Sequence, residues 1–332
     1  MREPAFWWRN TGLWSRMLSP LGLIYGSIVA KRMTRTGVRA KLPVICVGNF
    51  ILGGAGKTPA AIMLARMLSE MGERPFFLTR GYGGSARGPK LVDPDTAVAA
   101  DFGDEALLLA RVAPTVVAKD RISGAAFARE HGATTVVLDD GLQNPTLEKD
   151  FTLAVIDANH GIGNACVFPA GPLRAPLSAQ LAQTNVILVV GEGRSADHTL
   201  TQARAAALPI LHGRLVADRA ITSTLKDHAV LAFAGIGHPE KFLATVMESG
   251  IAVKEYRLFP DHHRFTAGEA KELIAKAEHA GLMLLTTEKD RARMIGEKAL
   301  DELAARVRTL PVTMVLKSPE ELRRLMEQNI RR

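Results

Sequence analysis

Cysteine is nearly absent from this chain of 332 residues, which has only Cys46 and Cys166. That excludes a disulfide framework and a thiolate metal spacing, and it fits a reducing compartment. Cys46 sits in an apolar run and reads as a small buried hydrophobe. Long hydrophobic runs are also missing. The run Leu18–Ala30 is shorter than the roughly 20 residues that span a bilayer, and Pro20 interrupts it. It lacks the length and small-residue cleavage site of a secretory signal. No internal repeat or low-complexity tract appears. Acidic residues are missing from the start of the chain: residues 1–41 hold eight basic residues and one acid, Glu3. Nearly all of the net charge of +8 therefore lies in this arm, and the body is close to neutral. A neutral body, with all three tryptophans (Trp7, Trp8, Trp14) in the basic arm, argues against a nucleic-acid-binding face.

What is present is enough apolar material for a large core, 47% of residues, in a length that suggests about two domains. The arm has a pattern of its own. Trp7, Trp14, Leu18, Leu21, Tyr25 and Ile28 recur at helical spacing, with Arg9 and Arg16 on the other side and a basic cluster, Lys31 to Lys41, following. Such a helix suits an anionic membrane surface; the alternative is a helix packed on its own domain.

The organising stretch is Pro43 to Leu68. An apolar run, Pro43 to Asn49, suits a buried parallel strand. After Phe50, Ile51 and Leu52 come Gly53, Gly54, Ala55, Gly56, Lys57 and Thr58, then a helical pattern through Leu68. The glycines let backbone N–H groups turn inward, and the helix N-terminus favours an anion. Strand, loop, Gly-Lys-Thr and helix in this order describe a phosphate-binding loop for ATP or GTP, with Lys57 reaching the β- and γ-phosphates and Thr58 ligating Mg²⁺. One position departs: Ile51 stands where the usual pattern has glycine.

Strands are expected at Pro75–Thr79, Thr115–Ala118, Thr134–Leu138, Phe151–Asp157 and Asn185–Val190, alternating with helices. This predicts an α/β fold, a P-loop NTPase-like, doubly wound, mainly parallel sheet, with the site at the strand carboxyl ends. Asp139 and Asp140 end one of these strands, as a Mg²⁺-holding partner of a phosphate loop should, and Gln143 lies just beyond. Arg80 and Tyr82, in a Gly-rich loop, read equally as phosphate or substrate contacts and as a flexible turn. Asp104 is a natural N-cap for its helix, and that structural role stands beside a catalytic one. Residues 85–100 look irregular. From 192 to 227 periodicity weakens, which suggests a hinge. A smaller α/β domain follows, with strands at Ala229–Ala234, Val253–Leu258, Met283–Thr286 and Val312–Leu316. In its loop Phe259–Phe265, an extended backbone would send His262 and His263 to opposite sides, so one histidine can pair with a carboxylate. The expected division is an N-terminal membrane-associating helix over 1–40, a P-loop domain over 41–215 and the smaller domain over 216–332.

These motifs, with Arg80-Gly-Tyr-Gly83, Gly103-Asp-Glu105, Leu138-Asp-Asp-Gly141, Gly171-Pro-Leu-Arg174 and Phe259-Pro-Asp-His-His263, together resemble the tetraacyldisaccharide 4'-kinases of lipid A synthesis. The resemblance implies ATP and Mg²⁺, and a lipid A disaccharide-1-phosphate whose 4'-hydroxyl is phosphorylated at the cytoplasmic face of the bacterial inner membrane. It implies a peripheral protein with no nucleic acid and no obligatory protein partner. By the same resemblance Asp104 is the base and His262 orients it. Lys57 and the loop amides hold phosphate, Thr58 with Asp139 or Asp140 places Mg²⁺, and Arg80, Arg121 and Arg174 bind phosphate or substrate. The family's pattern has an aromatic and a histidine where this chain has Leu142 and Asn144, and an acid where it has Ala175. The competing reading is a regulatory or assembly P-loop ATPase, against which Leu52 counts, because many of those proteins carry a lysine there.

Overall fold

The computed structural model describes residues 3–330, which form two compact units, each discontinuous in sequence. The larger holds Glu3–Thr79, Ala118–Leu215 and the chain from Met314; the smaller holds Arg80–Val117 and Val216–Thr313. The chain passes from the larger unit to the smaller at the expected boundary after Leu215, but no division falls at 40, and Arg80–Val117 leaves the expected 41–215 span to pack with sequence far downstream of it.

In chain order the strands are β1 (Val44–Asn49), β2 (Pro75–Thr79), β3 (Lys90–Leu91), β4 (Thr115–Val117), β5 (Thr135–Asp139), β6 (Phe151–Asp157) and β7 (Val186–Val190). Then come β8 (Ile210–Ala217), β9 (Ala229–Ala234), β10 (Ala252–Leu258), β11 (Met283–Thr286), β12 (Arg308–Thr309) and β13 (Val312–Leu316). In the larger unit the sheet order is β13-β8-β7-β6-β1-β5-β2, and the pairs from β8 to β2 are parallel. All six residues of β1 are buried, as a strand paired on both edges and covered on both faces requires. The helix Lys57–Glu70 turns Ala60, Ala61, Leu64, Ala65 and Leu68 inward at helical spacing. The register sets Val47 beside Asp139, so the carboxyl end of β5 lies next to the strand that feeds the phosphate loop.

The segment expected to be a hinge, 192–227, is regular: helix Asp197–Ala205, strand β8 and helix Arg219–Leu225. Strand β8 is only partly buried, so its apolar pattern is diluted by outward-facing polar residues. Residues 85–100, expected to be irregular, contain β3, which pairs antiparallel with β4, and the start of the short helix Ala99–Phe102.

The smaller unit has a parallel sheet of order β10-β9-β11-β12. One face is covered by helix Ala267–Ala280 through Leu273, Ile274 and Ala277, the other by Phe242, Leu243 and Val246 of helix Pro239–Glu248. Helix Ala267–Ala280 starts with a capping box, Thr266 and Glu269 satisfying each other's end of the first turn. Helix Asp104–Ala110 packs Ala106, Leu107 and Ala110 with Ala292 of helix Glu288–Met294, which brings the two helices together.

The N-terminal helix runs Leu13–Met33 with Pro20 inside it. Trp7 does not extend its stripe. It lies in a separate turn, Ala5–Trp8, is buried, and donates through its indole N–H to the Pro169 carbonyl. The face turned to the protein consists of small residues, Ser15, Gly22 and Gly26, together with Met33. Leu13, Trp14, Met17, Leu21, Leu23 and Ile28 are each more than half exposed. A Cβ at Gly22 would lie 2.8 Å from the Val167 carbonyl oxygen, and one at Gly26 would lie 3.4 Å from the Pro176 ring. Gly22→Val should therefore lift the helix from its seat. Limited proteolysis should then cleave within residues 13–33 faster than in wild type while the rest of the chain stays resistant.

Candidate functional site

In the larger unit the phosphate loop is held from below and from one side. Gly53 and Gly56 have φ of 102° and 87°, left-handed values that a side chain would strain. Asn49 Nδ2 donates to the Gly53 carbonyl at 3.1 Å. Ile51, the departure from the usual loop pattern, is buried and forms a bridge with Leu173, while the Leu52 amide donates to the Pro172 carbonyl. The proline-rich segment thus straps the rising limb of the loop, and a packed side chain serves there in place of glycine. Lys57 and Thr58 open the helix, with Thr58 buried.

Asp139 is the last residue of β5 and is buried. Asp140 follows at φ 59°, a left-handed turn that aspartate tolerates better than most side chains, with its amide donating to the Val47 carbonyl. Its carboxylate accepts from Arg174 Nη1 at 2.8 Å and lies 3.8 Å from Lys57 Nζ. Burial alone would push this carboxyl up, but Lys57 and Arg174 outweigh it and hold it down at about 2. Arg174 also donates from Nε to the Ile51 carbonyl. Gln143 donates to the Asn49 carbonyl and to Gln180 Oε1, and its own Oε1 lies 3.4 Å from Arg174. Gln180, fully buried, donates in turn to the Phe50 and Ala175 carbonyls. Arg121 is buried at the start of helix Arg121–Glu130 and donates to the Leu78 carbonyl. The three departures from the family pattern have structural settings: Ala175 is buried, with its carbonyl accepting from Gln180. Leu142 is buried against Gly48, and Asn144 closes a turn onto Thr146.

The smaller unit gathers a second set. Asp104 is not the N-cap of its helix. Gly103 takes that place at φ 83°, and Asp104 is the first helical residue, its Oδ1 accepting the Glu105 amide. His262 Nδ1 lies 3.5 Å from Asp104 Oδ2. The loop is not extended there, since His262 has φ 54°. The histidines nevertheless diverge. His263 binds Glu269 at 3.0 Å and stacks on Phe259, closing the capping box, whereas His262 turns to Asp104. The exposed Tyr82 ring sits 5.0 Å from the His262 ring, and Arg80 is exposed. Burial pushes the Asp104 carboxyl up, but the His262 hydrogen bond and the charges of Arg293 and Lys289 hold it well below the usual carboxylate range. The same hydrogen bond to Asp104 raises His262, against the opposing effect of its burial.

Two residues at these sites carry no motif: Gln180 and Arg293. Only Arg293 has a sequence hint, its spacing of three from Asp290 on a helix capped by Thr287.

The sheet order, the loop and the strand-end aspartates define an α/β protein of the P-loop NTPase-like class. Its fold is similar to that of LpxK from Aquifex aeolicus, solved as a crystal structure with ATP. The TM-score is 0.70, with 24% identity, over 95% of this chain and 99% of that one. The model of the family "Tetraacyldisaccharide-1-P 4'-kinase" matches residues 14–331, and the chain belongs to that family. Similar relatives named tetraacyldisaccharide 4'-kinase come from Rhodopseudomonas palustris (strain BisB5), 51% identical over 99% of this chain and 97% of the relative. Another is that of Methylobacterium sp. (strain 4-46), 51% identical over 94% of each.

A histidine whose proton affinity is raised in the folded state stabilises the fold while it is protonated. That contribution is fully present below about pH 6.5, the unfolded value, and is lost as pH rises through the higher folded value. Asp104, held low, stays ionised throughout this window. The melting temperature of wild type relative to His262→Gln should therefore fall as pH rises above about 6.5. Parallel melting profiles for the two proteins would contradict the pairing.

Proposed function

We propose that this protein transfers the γ-phosphate of ATP to the 4'-hydroxyl of a tetraacylated glucosamine disaccharide 1-phosphate, a step of lipid A assembly. The observation that carries the reading is the Asp104–His262 pair at 3.5 Å, present in the same chain as a phosphate loop with Gly56, Lys57 and Thr58 at the start of its helix. A nucleotide-driven switch has no need of a base for an acceptor hydroxyl. In the transfer the acceptor oxygen bonds to the γ-phosphorus as the bond to the β,γ-bridging oxygen breaks. ADP leaves, and the hydroxyl proton passes to Asp104. Such a transition state is loose, so positioning and charge neutralisation matter more than a strong base, and a low-affinity aspartate suffices. Lys57, Arg174 and the loop amides face the phosphates; Arg80, Tyr82 and Arg121 are assigned to phosphate or substrate.

Mg²⁺ fits the donor set. Thr58 offers a buried hydroxyl, and Asp139 and Asp140 offer carboxylate oxygens, all hard ligands of the kind this ion takes. Of the two, Asp140 is already committed to Arg174 and Lys57, which favours Asp139 as the acid that holds the metal. Bound there, the ion would neutralise charge on the β- and γ-phosphate oxygens.

The N-terminal helix is assigned to the anionic cytoplasmic surface of the inner membrane, as a peripheral anchor. Its exposed Trp14, Leu21 and Ile28 and the basic run Lys31 to Lys41 support this reading. No helix among the described residues is long and apolar enough to cross a membrane.

The direct test is transfer of labelled γ-phosphate to a lipid A disaccharide-1-phosphate in detergent micelles. Asp104→Ala should lower turnover by roughly 100-fold or more with ATP binding retained, and His262→Ala should lower it in the same direction. ATP hydrolysis without lipid product, indifferent to both changes, would instead support the switch-ATPase reading. In flotation with anionic vesicles, a Trp14→Glu/Leu21→Glu/Ile28→Glu variant should stay with the soluble fraction while wild type floats. Equal flotation of the two would remove the membrane assignment.

A further inference from the structure

Arg293 lies at the centre of the charged cluster in the smaller unit, and neither a motif nor the functional reading accounts for it. Its side chain is nearly buried and is fixed from two directions. Nη1 donates to the Gly235 carbonyl at 2.7 Å and to Asp290 Oδ1 at 2.9 Å. Asp290 is itself immobilised, because it is fully buried and accepts from the Gly235 amide and from Thr287 Oγ1. The other edge of the guanidinium meets Asp104. Nε donates to Oδ2 at 2.7 Å, and Nη2 forms an ion pair with the same oxygen. Asp104 Oδ1 accepts the Glu105 amide and keeps a lone pair.

We propose that Arg293 is a positioning residue for the phosphoryl transfer: anchored on Asp290 and the Gly235 carbonyl, it grips Oδ2 of Asp104 and leaves Oδ1 to take the proton of the acceptor hydroxyl. The inference rests on the reading of Asp104 as the base. An arginine suits the task because its rigid fork brings two N–H groups onto the single oxygen Oδ2, where a lysine would supply only a point charge. A base held to one orientation contributes through alignment of its lone pair, and loss of that alignment reduces turnover without touching the nucleotide. The groups around Asp104 are Lys289, Asp290 and Arg293 from helix Glu288–Met294, His262 and Asp261 from their loop, Tyr82 from the Gly-rich loop, and Glu105 from its own helix. Lys289 is paired with Glu105 and acts on Asp104 by its charge alone, so the cations that contact the Asp104 carboxylate are Arg293 and, when protonated, His262. Arg293 therefore bears on His262 as well, as a like charge across the same carboxylate.

The experiment compares full-length wild type, Arg293→Lys, Arg293→Gln and Asp104→Asn. It measures labelled phosphate transfer and the titration of the His262 ring by NMR, with His262→Gln used to assign its resonance. Arg293→Gln should lower kcat roughly 10- to 100-fold, with KM for ATP unchanged, and should move the His262 titration to higher pH. Arg293→Lys should leave that titration near its wild-type position, because the charge is kept, while kcat still falls because the fork is lost. If Arg293→Gln fails to fold, Arg293→Lys decides alone: reduced kcat at unchanged KM for ATP supports the inference, and wild-type kcat overturns it. Folded variants with wild-type kcat, or with kcat and KM for ATP changed together and an unmoved His262 titration, also overturn it. Retained turnover in Asp104→Asn would remove the base itself. Lost turnover there, with unaffected Arg293 variants, removes only the role of Arg293.

Discussion

The parallel pairing of β1 with β5 is the constraint on which the phosphate site depends. It aligns Val47 with Asp139, and the Asp140 amide continues the ladder onto the Val47 carbonyl. Once that register is set, the loop leaving β1 and the carboxylates leaving β5 share one edge of the sheet. A shift of one residue would turn Asp139 to the other face and set Leu138 or Asp140 beside Val47. Both strands are buried on both faces, so the hydrophobic effect that stabilises the sheet also holds this register.

Charge balance explains the rest of the arrangement. Each unit holds an aspartate that burial would otherwise neutralise, and each surrounds it with cations. In the larger unit Asp140 is held by Lys57 and Arg174; in the smaller, Asp104 is held by Arg293 and His262. The supports differ in kind. Arg174 belongs to a strap that also pairs with the loop backbone, so charge and loop conformation are fixed by one segment. Arg293 belongs to a helix whose own Asp290 locks it in place. Burial pushes the Asp290 carboxyl up, with the Arg293 charge opposing that effect, so this arginine spans two acids at once.

The central strands were legible because they are buried on both sides and read as uninterrupted apolar runs. Phe151–Asp157, Ala229–Ala234 and Met283–Thr286 agree with the expected bounds to the residue. Strand β8 was not legible, because it lies near the end of the sheet, between β13 and β7, with one face largely open, and so carries polar residues that look like a linker. The phosphate loop and Asp139-Asp140 declare themselves by local spacing. Arg293 and Gln180 do not, because what gives them meaning lies far away in the chain. Arg293 meets an acid 189 positions earlier, and Gln180 meets a loop carbonyl 130 positions earlier. The N-cap expectation for Asp104 failed for a related reason. A left-handed glycine precedes it and takes the cap position, which sets the carboxylate at the first helical turn rather than over it.

The N-terminal helix shows where hydropathy alone misleads. An amphipathic stripe is ordinarily read as the side that faces the protein. Here the side that faces the protein is the one with almost no side chain. At Gly22 the backbone approaches the Val167 carbonyl closely enough to exclude a Cβ, and Gly26 meets the Pro176 ring. Close backbone approach needs small residues, so the large apolar side chains are displaced to the opposite face, where most of them lie open. The helix is seated by the same proline-rich segment that straps the phosphate loop, through Trp7 on the Pro169 carbonyl and Tyr25 against Phe168. Packing geometry, rather than the count of apolar residues, decides which face of this helix is available to something other than the protein itself.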